Sequence, residues 1–228
     1  MTFALSDRAK HLESLSAALS ALGLEAEAHD RERVVAYLSL LQRWNAVHNL
    51  SATRDTAGLL GQHIIDCLAI VPSLRRHAGN SALRVLDAGT GAGLPAVVLA
   101  IMNPKWSVTA VDSVAKKIAF LRHVSGELGL SNLRPCHARL EDMSATDLRF
   151  DVVTSRALGT LSQLIEHTKH LIEPAGIWAA MKGKPPEEEF SRLPPDCQLF
   201  HVEPLIVPEL DAQRCLVWLR PVTTATTR

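Results

Sequence analysis

The 228-residue sequence contains no long apolar run and few aromatic side chains, which make up 4% of it. Its longest apolar stretch, residues 94–102, contains Pro95 and is too short to cross a bilayer. Its first residues are not a basic segment followed by an apolar one, as a secretory signal would require. We therefore expect a cytoplasmic protein that does not span a membrane.

The chain also lacks an excess of charge of either sign and any close pair of cysteines. Lysine plus arginine and aspartate plus glutamate both number 24, so no overall positive field attracts nucleic acid, and RNA contacts would depend on local basic groups. The cysteines show neither the CxxC nor the Cys/His spacing of a metal site. We expect buried, reduced thiols, which suit a cytosolic protein, and no metal centre. The four are Cys67, Cys136, Cys197 and Cys215.

Residues 1–80 follow a helical pattern. Leucines at helical spacing precede Gly23, a second periodic segment runs to about Asn49, and a third stops before Pro72. This pattern predicts three helices, which form an N-terminal extension packed on the rest of the chain.

From residue 81 to residue 222, short β-branched segments alternate with helical ones. Such alternation, with nearly all-apolar strands, predicts an α/β fold with a doubly wound parallel sheet covered on both faces. The last two strands, within 198–207 and 214–220, have no long helix between them and should pair antiparallel at one edge. A mostly parallel, Rossmann-like sheet of seven strands is the layout of class I methyltransferases. Residues 223–228 form a polar tail.

Residues 85–100 read VLDAGTGAGLPAVVLA, an apolar strand followed by alternating glycines and a helix. Glycines at such a βα turn let the backbone approach a nucleotide-like cofactor closely. A triphosphate site would need a Gly-Lys-Ser/Thr segment, and no such lysine follows. The dinucleotide pattern G-x-G-x-x-A is satisfied by Gly91, Gly93 and Ala96, so a nicotinamide dinucleotide stays an alternative at this point.

Acidic residues near the ends of three successive strands favour a different cofactor. Asp87 would repel the diphosphate of a dinucleotide but attract the ammonium and sulfonium groups of S-adenosylmethionine. Asp112 stands where a ribose diol would bind, and Glu141 or Asp142 where the amine of adenine would. Taken singly, Asp112 is also a candidate helix N-cap, and the two loop acids are candidates for solvated charges. Together, at the carboxyl edge of one sheet, they predict an S-adenosylmethionine site.

The chain from about residue 37 to residue 220 resembles the RsmG (GidB) family of bacterial methyltransferases. The glycine turn is common to methyltransferases in general, whereas HNLSATRD, HIIDCL and SRA in this order are specific to the family. Where the family usually has GPGLPG this chain has GAGLPA, so we expect a slightly changed turn at Ala92 and Ala96 with binding retained. The segments that carry the resemblance are WNAVHNLSATRD (44–55), HIIDCL (63–68), LDAGTGAGLP (86–95), VDSVAKKIAFLRHV (111–124), ARLED (138–142), VTSRA (153–157) and MKGKPPEEE (181–189).

The resemblance implies transfer of a methyl group from S-adenosylmethionine to N7 of a guanine in the 530 loop of 16S ribosomal RNA, position 527 in the usual numbering. The RNA or the small ribosomal subunit is then the partner. By resemblance, Gly89 and Leu94 line the cofactor. Leu140 and Glu141 hold its adenine side, and Arg156 closes the site near the methyl group. The whole predicted cofactor set is Asp87, Gly89, Gly91, Gly93, Leu94, Asp112, Ser113, Leu140, Glu141 and Arg156.

Methylation at N7 of guanine requires no proton removal by the protein, because N7 carries a lone pair and no proton. We therefore predict no general base. Residues 154–157 read TSRA where amino-group methylases have Asn/Asp-Pro-Pro-Tyr, and no nucleophilic cysteine stands there either. Arg156 is the predicted catalytic residue, acting by positioning or charge stabilisation on guanine O6, a phosphate or the methionine carboxylate. The alternative is a structural salt bridge at the strand end.

Basic residues at or beyond strand ends are the candidates for RNA contact, through phosphates and without sequence reading. Each is alternatively a solvated surface charge, and His63, with Asp66, is alternatively a link between the extension and the sheet. Trp44 and Trp178 lie in apolar periods and are expected in the core. The predicted RNA-contacting residues are Arg54, His63, Lys116, Arg122 and Lys182.

Three other functions stay open at this stage: a small-molecule methyltransferase, an NAD-dependent oxidoreductase and an RNA-binding module without catalysis. The N-terminal segments of the family argue against the first, Asp87 against the second, and the intact glycine turn against the third. The sequence shows no exposed heptad pattern and no long apolar strand edge through which two copies of the chain would associate, so we expect a monomer.

Overall fold

A computed structural model of the chain describes residues 5–48, 56–144 and 148–222. The helices are α1 (Leu5–Ala21), α2 (Ala28–His48), α3 (Thr56–Leu59), a π-helix (Leu60–Ile65), α4 (Asp66–Leu68), α5 (Val71–Ala78), α6 (Ala96–Met102), α7 (Ala115–Glu127), a 3-10 turn (Leu140–Asp142), α8 (Leu161–Thr168) and α9 (Glu187–Phe190). The strands are β1 (Arg84–Ala88), β2 (Ser107–Asp112), β3 (Leu133–His137), β4 (Phe150–Ser155), β5 (Ile172–Lys182), β6 (Cys197–Leu205) and β7 (Arg214–Pro221). None of the helices described here is long and apolar enough to cross a membrane.

The seven strands form one sheet in the order β3-β2-β1-β4-β5-β7-β6. Strands β1 to β5 run parallel, whereas β7 pairs antiparallel with both β5 and β6. The predicted mostly parallel sheet with an antiparallel C-terminal edge is therefore confirmed. Because the strand order reverses between β1 and β4, the carboxyl ends of these two strands border the crevice where such sheets bind ligands.

Two hydrophobic clusters cover the two faces of the sheet. Val85 of β1 belongs to one and Leu86 to the other, as the alternation of side chains along a strand requires. The cluster around Val85 joins α6 and α7 to helices of the N-terminal extension, with Leu38 and Ile64 fully buried in it. The opposite cluster contains Ile165 of α8. The extension thus packs on the α6 and α7 side, and the predicted boundaries at 80/81 and 222/223 stay predictions.

The end of the extension differs from the single helix predicted to stop before Pro72. The chain forms α3, a π-helical turn and α4, which ends at Leu68, and then starts α5 at Val71. Pro72 lies in the first turn of α5, where a missing N–H costs nothing because that group has no helical partner anyway. The proline therefore helps to start a helix here, whereas the pattern predicted that it would end one.

Candidate active site

Two positions of the glycine turn between β1 and α6 combine a positive φ with a lack of space for a side chain. Gly89 and Gly93 have φ angles of 68° and 94°, in the left-handed region that other residues rarely adopt. A Cβ on Gly89 would lie 2.8 Å from Leu158 Cδ1, and one on Gly93 would lie 2.5 Å from Leu121 Cδ2. Neighbouring side chains therefore fill the space that a larger residue would need.

Asp87, near the end of β1, is fully buried under this turn. Its Oδ2 accepts hydrogen bonds from the Thr90 hydroxyl at 2.6 Å and from the Ala96 N–H at 3.0 Å, which close the turn onto the strand. Its Oδ1 is buried and has no hydrogen-bond partner among the described residues. Burial raises the pKa of Asp87 to about 6, although these hydrogen bonds and the nearby Arg156 act in the opposite direction. One oxygen of this carboxylate thus receives no hydrogen bond from the described residues.

Asp112, at the end of β2, ties that strand to the same turn. Its Oδ2 accepts from the Gly91 N–H at 3.0 Å and from Lys117 Nζ at 3.1 Å, and its Oδ1 accepts from the Val114 N–H at 2.9 Å. Val114 itself is the residue before α7, so Asp112 is not the N-cap of that helix. Because a carboxylate offers about four acceptor positions, the three contacts leave roughly one for a further hydroxyl donor.

A cleft of about 320 Å³ opens between the glycine turn, the end of β2 and the 3-10 turn. It is lined by five residues of the predicted cofactor set, namely Gly89, Asp112, Ser113, Leu140 and Glu141. Four others belong to the strand end and turn behind its wall and are not among the described lining residues: Asp87, Gly91, Gly93 and Leu94. Arg156 lines a smaller pocket of about 40 Å³, which shares Leu158 with the cleft. The binding roles of these residues stay predictions.

His167, which the sequence analysis did not single out, contacts Glu141 at the cleft. His167 Nδ1 of α8 lies 2.7 Å from Glu141 Oε1, and both residues line the cleft. Leu140 beside Glu141 is buried, which fixes the 3-10 turn to the core, whereas Asp142 is exposed. His167 lies 26 positions from its partner along the chain, and its own segment carries no motif. Only the packing of α8 on the sheet brings the pair together.

Arg156 follows β4 and joins the sheet to the N-terminal extension. Its Nη1 lies 2.8 Å from His63 Nδ1 of the π-helix and 3.9 Å from Asp66 Oδ2 of α4. The other oxygen of the Asp66 carboxylate accepts from Arg214 Nε at 2.8 Å. The buried Asp66 therefore lies between two arginines, one after β4 and one at the start of β7. Arg214 is a member of this cluster that the sequence analysis missed.

The protonation of the cluster follows from its burial. Burial and the positive charge of Arg156 lower the pKa of His63 to about 4, so the imidazole is neutral near pH 7 and can accept at Nδ1. Burial raises the pKa of Asp66, and the charges of Arg214 and Arg156 counteract this shift. The predicted link between extension and sheet through His63 and Asp66 is present, and so is the salt bridge weighed as an alternative role for Arg156.

The described residues among those predicted to contact RNA belong to three different elements, the π-helix, α7 and β5. His63 lies in the Arg156 cluster, and Lys182 Nζ is held by Glu189 Oε1 at 2.9 Å and by the Gly159 carbonyl at 3.1 Å. Lys116 and Arg122 are exposed on α7. Arg54 lies outside the described residues. The RNA contacts stay predictions. Among the described candidates, the two on α7 are the ones that are exposed.

The two tryptophans have different environments. Trp178 is buried in the core, as expected, and its Nε1 donates to Thr168 Oγ1 at 2.9 Å. Trp44 is half-buried against Phe120, with ring centroids 5.3 Å apart, and lines a groove between α2 and α7. In the described ranges no three histidine, cysteine, aspartate or glutamate side chains are grouped so that they could hold a metal ion.

Solved structures support the fold assignment. The chain superposes on 1,6-didemethyltoxoflavin-N1-methyltransferase from Burkholderia thailandensis with a TM-score of 0.57 and 16% identity, over 82% of this chain and 89% of that one. At this identity the likeness concerns the fold alone, which is that of class I methyltransferases.

Sequence relatives identify the family. The chain is 46% identical over 213 residues to Ribosomal RNA small subunit methyltransferase G from Leptothrix cholodnii, covering 93% of this chain and 97% of the relative. It is 44% identical over 219 residues to the protein of the same name from Methylibium petroleiphilum, with 96% and 98% coverage. The sequence profile of GidB, rRNA small subunit methyltransferase G, matches residues 30–217. This match and these relatives show that the chain belongs to the GidB family of rRNA small subunit methyltransferase G.

Proposed function

We propose that this protein transfers a methyl group from S-adenosylmethionine to N7 of a guanine in 16S ribosomal RNA, in the 530 loop. The observation that carries the proposal is the presence of opposite charges, Asp87 and Arg156, at the ends of two neighbouring strands at the switch point of the sheet. The buried Asp87 carboxylate has one unpartnered oxygen, and the Arg156 charge acts on it from the end of the neighbouring strand. The names of the family and of its relatives supply the class of substrate.

The charges around the cleft fit S-adenosylmethionine along its length. The unpartnered Oδ1 of Asp87 is suited to the ammonium of the methionine part, and Arg156 to its carboxylate. The remaining acceptor position of Asp112 suits one ribose hydroxyl, and Leu140 and Glu141 border the adenine end. A nicotinamide dinucleotide would place its diphosphate against Asp87, where like charges repel. These contacts favour the methyl donor.

The reaction asks for positioning and charge stabilisation from this chain. The cofactor supplies an electrophilic methyl group, and guanine N7 attacks with a lone pair that carries no proton. No side chain has to remove a proton, which agrees with the neutral His63 serving as an acceptor for Arg156. Arg156 acts by positioning, with its donors on the methionine carboxylate or, as the alternative, on guanine O6 or a phosphate, because the charge that moves from the sulfonium to guanine is itself positive. Lys116 and Arg122 on α7 supply exposed charges for phosphates.

A transfer assay with labelled S-adenosylmethionine tests this proposal. The acceptors are small ribosomal subunits, naked 16S RNA and a panel of small amines and phenols, and incorporation is counted in each product. We expect label in the RNA of at least one ribosomal acceptor and none in the small molecules. Label confined to small molecules would show a small-molecule methyltransferase. Tight binding of NADH without binding of S-adenosylmethionine, in a parallel titration, would show an oxidoreductase.

A further inference from the structure

Tyr37, the only tyrosine of the chain, connects the N-terminal extension to the glycine turn. It lies on α2 and is fully buried, and its hydroxyl donates a 2.7 Å hydrogen bond to the Ala92 carbonyl, 55 positions away. Its ring packs against Phe120 of α7, with centroids 6.5 Å apart and planes inclined by 28°. The ring therefore has support of its own, and the hydroxyl makes one specific contact with the turn.

Ala92 occupies the middle of the turn, between two residues that the site depends on. The N–H of Gly91 before it is held by Asp112, and Gly93 after it has a φ of 94°. The Gly93 N–H is bound to the Thr90 carbonyl at 2.9 Å. The Ala92 carbonyl accepts its hydrogen bond from the Tyr37 hydroxyl of the extension. Burial raises the pKa of Tyr37 well above 10, so the hydroxyl stays a donor at every working pH.

We infer that Tyr37 is a positioning residue of the cofactor site, which sets the glycine turn through the Ala92 carbonyl. Tyr37 is not among the residues that line the cleft, so its effect is transmitted through the backbone. Without the hydroxyl, the Ala92 carbonyl is buried without a partner, and rotation of its peptide towards another donor would turn the Gly93 N–H, which shares that peptide, away from the Thr90 carbonyl. The N-terminal extension is then part of the cofactor site. This inference rests on the proposed use of S-adenosylmethionine.

The test is the dissociation constant of S-adenosylmethionine, measured by calorimetry at 10 °C on the full chain and two variants. Tyr37→Phe removes the hydroxyl and keeps the ring. Thr168→Val is the matched control, because Thr168 is equally buried and bridges the Leu164 carbonyl and Trp178 Nε1 in the core on the opposite face of the sheet. Tyr37→Phe loses one buried hydrogen bond and Thr168→Val loses two, but only the first variant loses one at the turn.

We expect Tyr37→Phe to weaken binding about three- to tenfold and Thr168→Val to leave it within about twofold of the unaltered chain, at comparable losses of thermal stability. In turnover, Tyr37→Phe should raise KM for S-adenosylmethionine and leave kcat and KM for RNA unchanged. Equal dissociation constants for Tyr37→Phe and the unaltered chain would overturn the inference alone. If the unaltered chain fails to bind S-adenosylmethionine, the proposed function is wrong and the inference falls with it.

A second measurement needs no variant. Growth with 3-fluorotyrosine labels Tyr37 alone, and its single fluorine resonance reports on the hydroxyl and its acceptor. We expect saturating S-adenosylmethionine to shift this resonance, because binding changes the conformation of the turn to which the Tyr37 hydroxyl is hydrogen-bonded. An unmoved resonance, with binding confirmed by calorimetry on the same labelled protein, would contradict the positioning role even if Tyr37→Phe does not fold.

Discussion

At the scale of single residues, Asp87 combines an observed role in the glycine turn with a predicted contact to the cofactor. Its Oδ2 organises the turn through Thr90 and Ala96, and its Oδ1 stays without a partner among the described residues. Full burial disfavours the charge, so the pKa rises to about 6 and the group is ionised at neutral pH by a modest margin. Binding of a cation at Oδ1 therefore has a built-in dependence on pH.

We expect S-adenosylmethionine to bind more weakly as the pH falls below about 6, because protonation of Asp87 removes the charge that attracts the ammonium. Asp87→Asn should bind at least tenfold more weakly at pH 7.5 and lose this dependence, since its side chain does not titrate. Calorimetric titrations between pH 5 and pH 8 measure both effects. Identical pH profiles for the variant and the unaltered chain would assign the dependence to another group.

Substitutions of Arg156 can separate the effect of its positive charge from the effect of its planar arrangement of donors. We expect Arg156→Gln to lower kcat/KM for methyl transfer by about 100-fold or more, because it removes the fork of hydrogen-bond donors that positions the reactants at this end of the site. Arg156→Lys should recover part of that loss, since it keeps the charge but not the planar fork of donors. Arg134→Gln, at an exposed arginine of β3, is the control and should keep full activity. Equal rates for Arg156→Gln and Arg134→Gln would remove Arg156 from the mechanism.

At the scale of elements, the glycines of the turn differ in how closely neighbouring side chains surround them. Gly91 and Gly93 both have positive φ, but a Cβ on Gly91 meets open space, whereas one on Gly93 meets Leu121 and Val97. We expect Gly91→Ala to cost about 1 kcal/mol of stability from backbone strain. Gly93→Ala should cost about 1–3 kcal/mol more, because it overpacks α6 and α7. Urea unfolding measures the difference, and equal losses would contradict the packing described here.

The junction of α4, the β4 loop and β7 depends on the buried Asp66. We expect Asp66→Asn to destabilise the fold by about 3 kcal/mol, because Arg156 and Arg214 lose their shared counter-charge inside the protein. Methyl transfer should fall as well, since Arg156 loses part of its support. The control is Glu166→Gln, which breaks an exposed pair with Lys169 and should change stability by less than about 0.5 kcal/mol. A loss no larger than the control's in urea unfolding would show that Asp66 does not carry this junction.

The sequence predicts the elements well where one local rule decides the structure. Alternating apolar strands and helices place the seven strands, and the absence of a helix before β7 predicts the antiparallel edge. Pro72 is different, because a proline is compatible both with a position after a helix and with the first turn of the next one. Packing of the extension decides between the two, and periodicity contains no information about that packing.

At the scale of the whole molecule, the parts of the site that could be predicted are those fixed by topology. Asp87 and Asp112 lie at or near the ends of their strands, and Glu141 lies in the turn after β3, so a parallel sheet must bring all three to one edge. His167 and Arg214 could not be predicted, because each meets its partner across a long separation in sequence and lies in a segment without a motif. Their contacts depend on how α8 and β7 pack on the sheet.

The N-terminal extension and the C-terminal hairpin both reach the site from outside the part of the sheet that forms the cleft. The extension contributes Tyr37 to the turn and His63 and Asp66 to Arg156, and the hairpin contributes Arg214. Substitutions far from the cleft should therefore affect cofactor binding and transfer more than their effect on stability alone would suggest. This coupling follows from hydrogen bonds and ion pairs that cross between elements.

The central claim is methylation at N7 of a guanine in 16S ribosomal RNA, and the position of the methyl group tests it most directly. Unmethylated small subunits are incubated with the protein and S-adenosylmethionine, and the extracted RNA is cleaved with borohydride and aniline, which break the chain at 7-methylguanosine. Primer extension then maps the break. We predict one new cleavage, within the 530 loop, that is absent with Arg156→Gln. Methyl incorporation without cleavage, or cleavage elsewhere in the RNA, would contradict the account.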